Sequence, residues 1–268
     1  MIRRCYLEIT NACNLRCSFC TLDKGNDFLE LEEIRRILPM IREVTEYLYL
    51  HILGEPLLHP HIEEILDLTD ELSFKVQLVT NGTLLPDHPF LLSHPSLRKL
   101  SVSLHALNEF GSPEAVFKAV ERLLSSDREC IVELRFYDKK RLNGPLRGFY
   151  EEIMNRYHPV MDQSGTWKLM EKTYLREEEL FKWPELRDPF VSERGRCLAT
   201  EMIAINAKEE VTMCCLDPYA WNSMGNLKEK DLHEILESEK YKELLESLRG
   251  NRKLSELCSK CTYRKRFE

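Results

Sequence analysis

The sequence predicts an α/β fold of parallel βα units, followed by a small cysteine-rich unit made of a β-hairpin and a helix. Three observations carry this expectation. Short β-rich runs alternate with amphipathic helical stretches from Cys5 to Tyr137, the pattern of parallel βα units. Within those runs one alternating set of positions is repeatedly polar, whereas strands covered on both faces should be apolar on both. Eight of the ten cysteines fall into two groups, one near each end of the chain.

The chain has 268 residues, 43% apolar and 31% charged, enough to bury a full core as one large domain with or without an appendage. No signal peptide is recognisable, and no apolar run approaches the ~18 residues of a membrane span. A cytoplasmic protein without membrane contact is expected. The net charge of −7 argues against a nonspecific nucleic-acid surface, and Arg264-Lys265-Arg266 reads as a solvated tail.

Five strands are predicted, at Cys5–Thr10, Tyr47–Leu53, Phe74–Thr80, Lys99–His105 and Cys130–Tyr137. Helices fit between them at Leu31–Val44, His61–Leu72, Pro86–Ser93 and Pro113–Ser125, the last opened by a Ser112 cap and a first-position proline. A helix over Leu146–Arg156 and a sixth strand at Trp167–Tyr174 follow, and 176–196 reads as a charged linker. The polar face of the strands carries Glu8 and Thr10, Tyr49 and His51, Gln77, then Ser101, Ser103 and His105, then Glu133, Arg135 and Tyr137. A filled barrel would put branched apolar residues there, so this face is expected to line a binding cavity.

Ten cysteines in a reducing compartment point to metal or redox chemistry rather than disulfides. Cys5 and Cys130 lie alone in strands and read as small buried hydrophobes. Cys13, Cys17 and Cys20 are spaced C-x3-C-x2-C after the first strand. Three thiolates can hold three irons of a cubane and leave the fourth open, where structural zinc wants four closed positions. The second group is Cys197, then a hairpin over Met202–Asn206 and Val211–Cys215, a helix over Leu227–Leu248, and Cys258-Ser259-Lys260-Cys261. Four cysteines so gathered fit either an all-thiolate zinc site or a fully ligated iron–sulfur cluster.

The triplet resembles that of the radical S-adenosylmethionine (SAM) enzymes. The resemblance implies a partial (β/α)6 TIM-like barrel over residues 1–190 and, over 191–268, an appendage of the SPASM or shorter twitch type. Two [4Fe-4S] clusters are then implied, one on Cys13, Cys17 and Cys20, the other on Cys197, Cys214, Cys258 and Cys261, with Cys215 as the alternative to Cys214. Gly54-Glu55-Pro56 stands where the family has Gly-Gly-Glu, with Leu53 replacing the first glycine. Gly54, Glu55, Pro56, Thr80, Asn81, Ser103 and Arg135 are the implied SAM-binding residues.

The implied reaction is reductive cleavage of SAM, with electrons from a flavodoxin or ferredoxin, to a 5′-deoxyadenosyl radical that takes hydrogen from a substrate. Oxidation of a small sugar-like or aminocyclitol-like molecule, with the second cluster as electron acceptor, is preferred. His51, His105, Glu133 and Arg135 are the acid–base candidates. The alternative is modification of a ribosomally made peptide or protein side chain. The triplet begins at Cys13, which leaves little room for the leader-binding domain such enzymes often carry. A zinc-stabilised binding protein without turnover is the reading from another class.

Overall fold

The computed structural model describes residues 2–20, 25–109, 113–126, 128–163 and 165–267. The chain opens with β1 (Arg4–Leu7), α1 (Leu31–Val44), β2 (Tyr47–Tyr49), α2 (Ile62–Glu71) and β3 (Lys75–Thr80). It continues with β4 (Leu97–Val102), α3 (Glu114–Ser125), β5 (Ile131–Arg135) and α4 (Gly144–Tyr157). Three strands follow, β6 (Val160–Met161), β7 (Thr166–Met170) and β8 (Thr173–Arg176). The C-terminal part holds β9 (Met202–Ile205), β10 (Glu210–Thr212), β11 (Gly225–Asn226), α5 (Leu232–Glu237), α6 (Glu239–Leu248) and α7 (Glu256–Lys260).

Six strands run parallel in the order β1-β2-β3-β4-β5-β8, the partial (β/α)6 barrel. Their outward positions are apolar and buried, as Cys5, Leu7, Leu48, Val76, Leu78, Leu100 and Val132 show with 0% exposure. Helices cover that face. α1 begins with a reciprocal Glu30–Glu33 capping box and packs Ile34, Ile37, Leu38 and Ile41 inward, one stripe at helical spacing. Cys5 and Cys130 are buried in this core.

Three elements depart from expectation for local reasons. The stretch Pro86–Ser93 is two 3-10 turns, Leu85–Asp87 and Pro89–Leu92, because each proline starts a turn and removes the amide a continuous helix would need. Trp167–Tyr174 is not one strand; it is the β7–β8 hairpin, reversed at Lys172 with φ 54°. Its second arm is the barrel's sixth parallel strand. The helix over Leu227–Leu248 breaks at Ser238, whose extended backbone and hydroxyl, accepting from Tyr241 N at 3.2 Å, cap α6. Ser112, the expected cap of α3, lies outside the described residues.

The C-terminal hairpin does not stand apart. β9 pairs parallel with β1, β10 antiparallel with β9, and β11 with β10, so the barrel sheet runs on into the appendage. Glu8 fastens this junction. Its buried carboxylate accepts from Leu53 N at 2.9 Å, beyond β2, and from Ala207 N at 3.0 Å, in the hairpin turn. Among the described residues, no helix is long and apolar enough to cross a membrane.

Burial pushes the Glu8 carboxyl up to about 7, against the lowering effect of its two amide donors. A carboxyl raised on folding binds more protons folded than unfolded, so its stabilisation is present below the ordinary value and lost as pH rises through about 7. Glu8→Gln removes that loss. The difference in melting temperature between the variant and the wild type should move in the variant's favour from about pH 5 to about pH 8. A constant difference across that range would show that Glu8 does not titrate within the fold.

Candidate functional site

The cysteine triplet sits on the loop leaving β1, and three anchors shape that loop. Thr10 Oγ1 donates to Asp27 O at 2.8 Å and accepts from Ala12 N at 3.0 Å. Asn11 and Asp27 exchange two bonds of 2.8 Å. From below, Glu55 N donates to Ala12 O at 2.7 Å. Gly54 makes that approach possible: at φ 75° an added Cβ would lie 2.5 Å from Thr10 O and 2.7 Å from Ala12 O. Cys13, Cys17 and Cys20 are half-buried on this loop, and none is in a disulfide.

Thr80-Asn81-Gly82 is more than a turn. Asn81 Nδ2 donates to Asn14 Oδ1 at 2.9 Å and reaches Cys13 Sγ at 3.8 Å, so the end of β3 grips the cysteine loop. Glu55 is placed differently from expectation. Its carboxylate is buried and accepts from Thr80 Oγ1 (2.7 Å), Asn81 N (2.6 Å) and Leu57 N (3.1 Å). With these donors engaged, burial still raises it to about 7. The side chain therefore ties the end of β2 to the end of β3, and the backbone around Gly54 is what the motif presents to the loop. Pro56 is buried at the start of a 3-10 turn, Pro56–Leu58.

Inside the barrel a cavity of about 350 Å³ runs from Cys20 at one end to Cys197, Cys214 and Cys261 at the other. His51, Ser103, His105 and Arg135 line it, as the strand parity predicts. Glu133 does not: it is paired with Lys99 at 2.7 Å and accepts from Ser101 Oγ at 3.1 Å, and although burial raises it, Lys99 and then Arg135 and Arg176 hold it below its ordinary value. His105 stacks on Tyr137 at 4.7 Å, and its Nδ1 meets Arg135 O at 3.2 Å. Burial lowers His105 to about 4. His51 falls to about 3 through burial and then the charges of Arg135 and Lys99. Both imidazoles are neutral, and His51 Nδ1 is buried without a partner. Arg135 Nε donates to Tyr137 OH at 2.9 Å.

Several cavity residues escape the sequence reading. Arg4 and Tyr6 share the parity of Glu8 and Thr10, a signal that was present but sits at the strand's start. Leu180, Phe181 and Trp183 come from the stretch read as linker, and Tyr263 and Phe267 from the terminal tail. Irregular backbone carries no period, so no pattern marks these side chains. Arg264, expected in solvent, is 1% exposed and packs beside the cysteines.

The C-terminal cysteines converge. Cys197, Cys214, Cys258 and Cys261 line one small apolar pocket. Burial raises Cys197 to about 11 and Cys258 to about 12, and Cys197, Cys258 and Cys261 each feel the charge of Cys214. Backbone amides two residues on point at the sulfurs: Ala199 N at Cys197 Sγ (3.5 Å) and Leu216 N at Cys214 Sγ (3.4 Å). Cys261 likewise takes bonds from the Tyr263 and Arg264 amides. Such donors favour thiolates and tune cluster potentials. Cys215 lies within hydrogen-bond reach of Cys214 and lines the barrel cavity beside Tyr6 and Arg4, but not the thiol pocket. Asp217, buried, accepts from Trp221 N at 2.9 Å and Asn222 N at 2.8 Å, closing the loop after the cysteine pair. Four half-buried thiols around one apolar pocket, three of them with amide donors, suit a fully thiolate-ligated cluster.

A family model of the radical SAM superfamily matches residues 7–134, and one of the SPASM iron–sulfur cluster-binding domain matches residues 197–262. The class defined by barrel and cysteines is thus that of a radical SAM protein. This chain is one with a C-terminal SPASM-type domain, to which belong a SAM-binding [4Fe-4S] cluster and an auxiliary cluster. Among curated relatives, the GTP 3′,8-cyclase of Aquifex aeolicus is 30% identical over 128 residues. The match covers 43% of this chain and 38% of that enzyme, so the chain spans about two fifths of that relative's length. Two solved structures share the fold. BtrN in complex with AdoMet and 2-DOIA has a TM-score of 0.56 and 16% identity, covering 98% of this chain and 93% of that one. SuiB of Streptococcus suis bound to precursor peptide SuiA has a TM-score of 0.57 and 13% identity, covering 89% and 65%.

Gly54→Ala tests how the triplet loop is held. The added methyl must push Thr10 and Ala12 apart from β2, so the variant should lose about half its iron, one cubane of two. Iron analysis together with the spectrum of the remaining cluster checks this. Full iron content would show that the loop tolerates the displacement.

Proposed function

We propose that this protein cleaves SAM reductively and abstracts hydrogen from a small substrate held in the barrel cavity, oxidising it with the auxiliary cluster as electron acceptor. Cys13, Cys17 and Cys20 hold the first cluster in this reading, and Cys197, Cys214, Cys258 and Cys261 the second. Reduced by a flavodoxin or ferredoxin and with SAM bound, the first cluster supplies a 5′-deoxyadenosyl radical. The observation that carries the reading is one cavity lined both by Cys20 of the first set and by Cys197, Cys214 and Cys261 of the second. A substrate there lies between the site that removes a hydrogen atom and the site that can take the second electron.

The chain's own residues have three tasks. The Gly54 backbone, Asn81, Ser103 and Arg135 ring the upper end and orient the amino-acid and ribose parts of SAM. Leu180, Phe181 and Trp183 with Tyr263 and Phe267 give the cavity an apolar, aromatic lining, which disfavours water beside a reactive intermediate. A two-electron oxidation also releases a proton, which needs an acceptor within hydrogen-bond reach. Neutral His51, with Nδ1 unpartnered, and neutral His105 face the cavity; Glu133, locked to Lys99, is withdrawn from that role.

A second reading, modification of a peptide side chain, draws on the shared fold with a peptide-bound enzyme. The cavity volume of about 350 Å³ suits a small molecule. The cyclase relative leaves ring formation as another outcome for the substrate radical, and product analysis separates it from oxidation.

Anaerobically prepared protein should hold roughly eight irons as two cubanes and, with dithionite, convert SAM to 5′-deoxyadenosine and methionine. Cys17→Ala should abolish that conversion. Stoichiometric zinc without 5′-deoxyadenosine would end the proposal. Cys214→Ala should remove about half the iron and Cys215→Ala almost none; the reverse result would exchange the two ligands.

A further inference from the structure

We infer that the substrate of the barrel cavity carries an anionic group, a carboxylate or a phosphate, seated against Arg4. This deepens the proposed function and rests on its placement of the substrate in that cavity. Three guanidinium groups, of Arg4, Arg135 and Arg264, line the cavity, and no Asp or Glu does among the described residues. Two of the three have evident work. Arg135 is bonded to the Tyr137 hydroxyl. Arg264 donates to Ser192 Oγ and lies beside Cys197 and Cys261, where it offsets thiolate charge.

Arg4 has no such occupation. Its Nε is buried without a hydrogen-bond partner among the described residues, and the next carboxylate along the same strand face, Glu8, is spent on Leu53 N and Ala207 N. The ionisable groups that feel its charge are Tyr6 and Cys215, both facing the same space. A partly buried guanidinium without a counter-charge is costly, and its planar fork of donors matches a carboxylate or phosphate. The rings beside it say more about the ligand. Phe181 packs on Trp183 at 5.5 Å and on Tyr263 at 5.3 Å, a wall suited to a planar or ring-bearing molecule. A protonated amine would meet like charge and no acidic partner.

The test is calorimetric titration of the iron-loaded, SAM-saturated full chain with benzoate, phenyl phosphate, benzamide and benzylamine. The two anions should bind, weakening with salt, and the neutral and cationic probes should not; the tighter anion identifies the headgroup. Arg4→Gln should weaken anion binding about tenfold or more, the worth of one charge-assisted contact, and Arg4→Lys should recover part of it. Benzamide or benzylamine binding as tightly as the anions would overturn the inference, and that arm stands on the wild type alone if the variant does not fold. So would unchanged anion binding in Arg4→Gln, or loss of auxiliary-cluster iron there, which would make Arg4 a counter-ion of the cluster. The assay needs no turnover. Anion binding without SAM cleavage would sink the proposed reaction and spare this site, and the opposite pairing would do the reverse.

Discussion

One buried carboxylate joins the two halves of this protein. Glu8 leaves β1 pointing into the barrel and accepts one amide from the loop that follows β2 and another from the hairpin turn of the appendage. Those amides have no other way to be satisfied in a dry junction, and leaving them unpaired would cost more than the bonds return in water. The register of β9 on β1 follows from this point. Because β10 runs antiparallel to β9, it ends beside the start of β1, which places the cysteine pair after β10 at the opposite end of the barrel from the triplet loop.

The rest of the site is a consequence of that arrangement. The upper end is built by backbone: Gly54 beneath the triplet, the Glu55 amide on Ala12, and Asn81 across to Asn14. The lower end is built by burial: four thiols in an apolar pocket, with amides aimed at their sulfurs and Arg264 beside them. Between them the lining is cationic and aromatic, and both cavity imidazoles are neutral because burial and the neighbouring arginine disfavour their charge. Positive side chains near thiolate-bound clusters and an acidic ligand serve the same electrostatic end, since each lowers the cost of gathering negative charge in a small volume.

Much of this was legible from local pattern. Strand parity found the cavity face, because side chains alternate regardless of context, and it brought His51, Ser103, His105 and Arg135 to the lumen. The same parity could not tell that Glu133 would be consumed by Lys99, a partner on the adjacent strand. The Gly54-Glu55 motif was located, but which of its atoms face the loop depends on the Thr80 and Asn81 donors, which come from another strand. The segment 176–196 looked like a linker because it has no period, yet its aromatic residues form a wall. Arg264 looked like tail and is buried.

By itself the sequence determined the alternation of strand and helix, the polar inner face and the two cysteine sets, for these are properties of spacing along one chain. Only the tertiary structure decided which cysteine of the pair faces its fellows. Cys214 lines both the thiol pocket and the barrel cavity, whereas its neighbour Cys215 lines the barrel cavity and not the thiol pocket. That choice belongs to the packing of the hairpin on β1 and of α6 and α7 beneath it, which no spacing encodes. The same holds for Arg4, whose buried Nε finds no hydrogen-bond partner among the described residues.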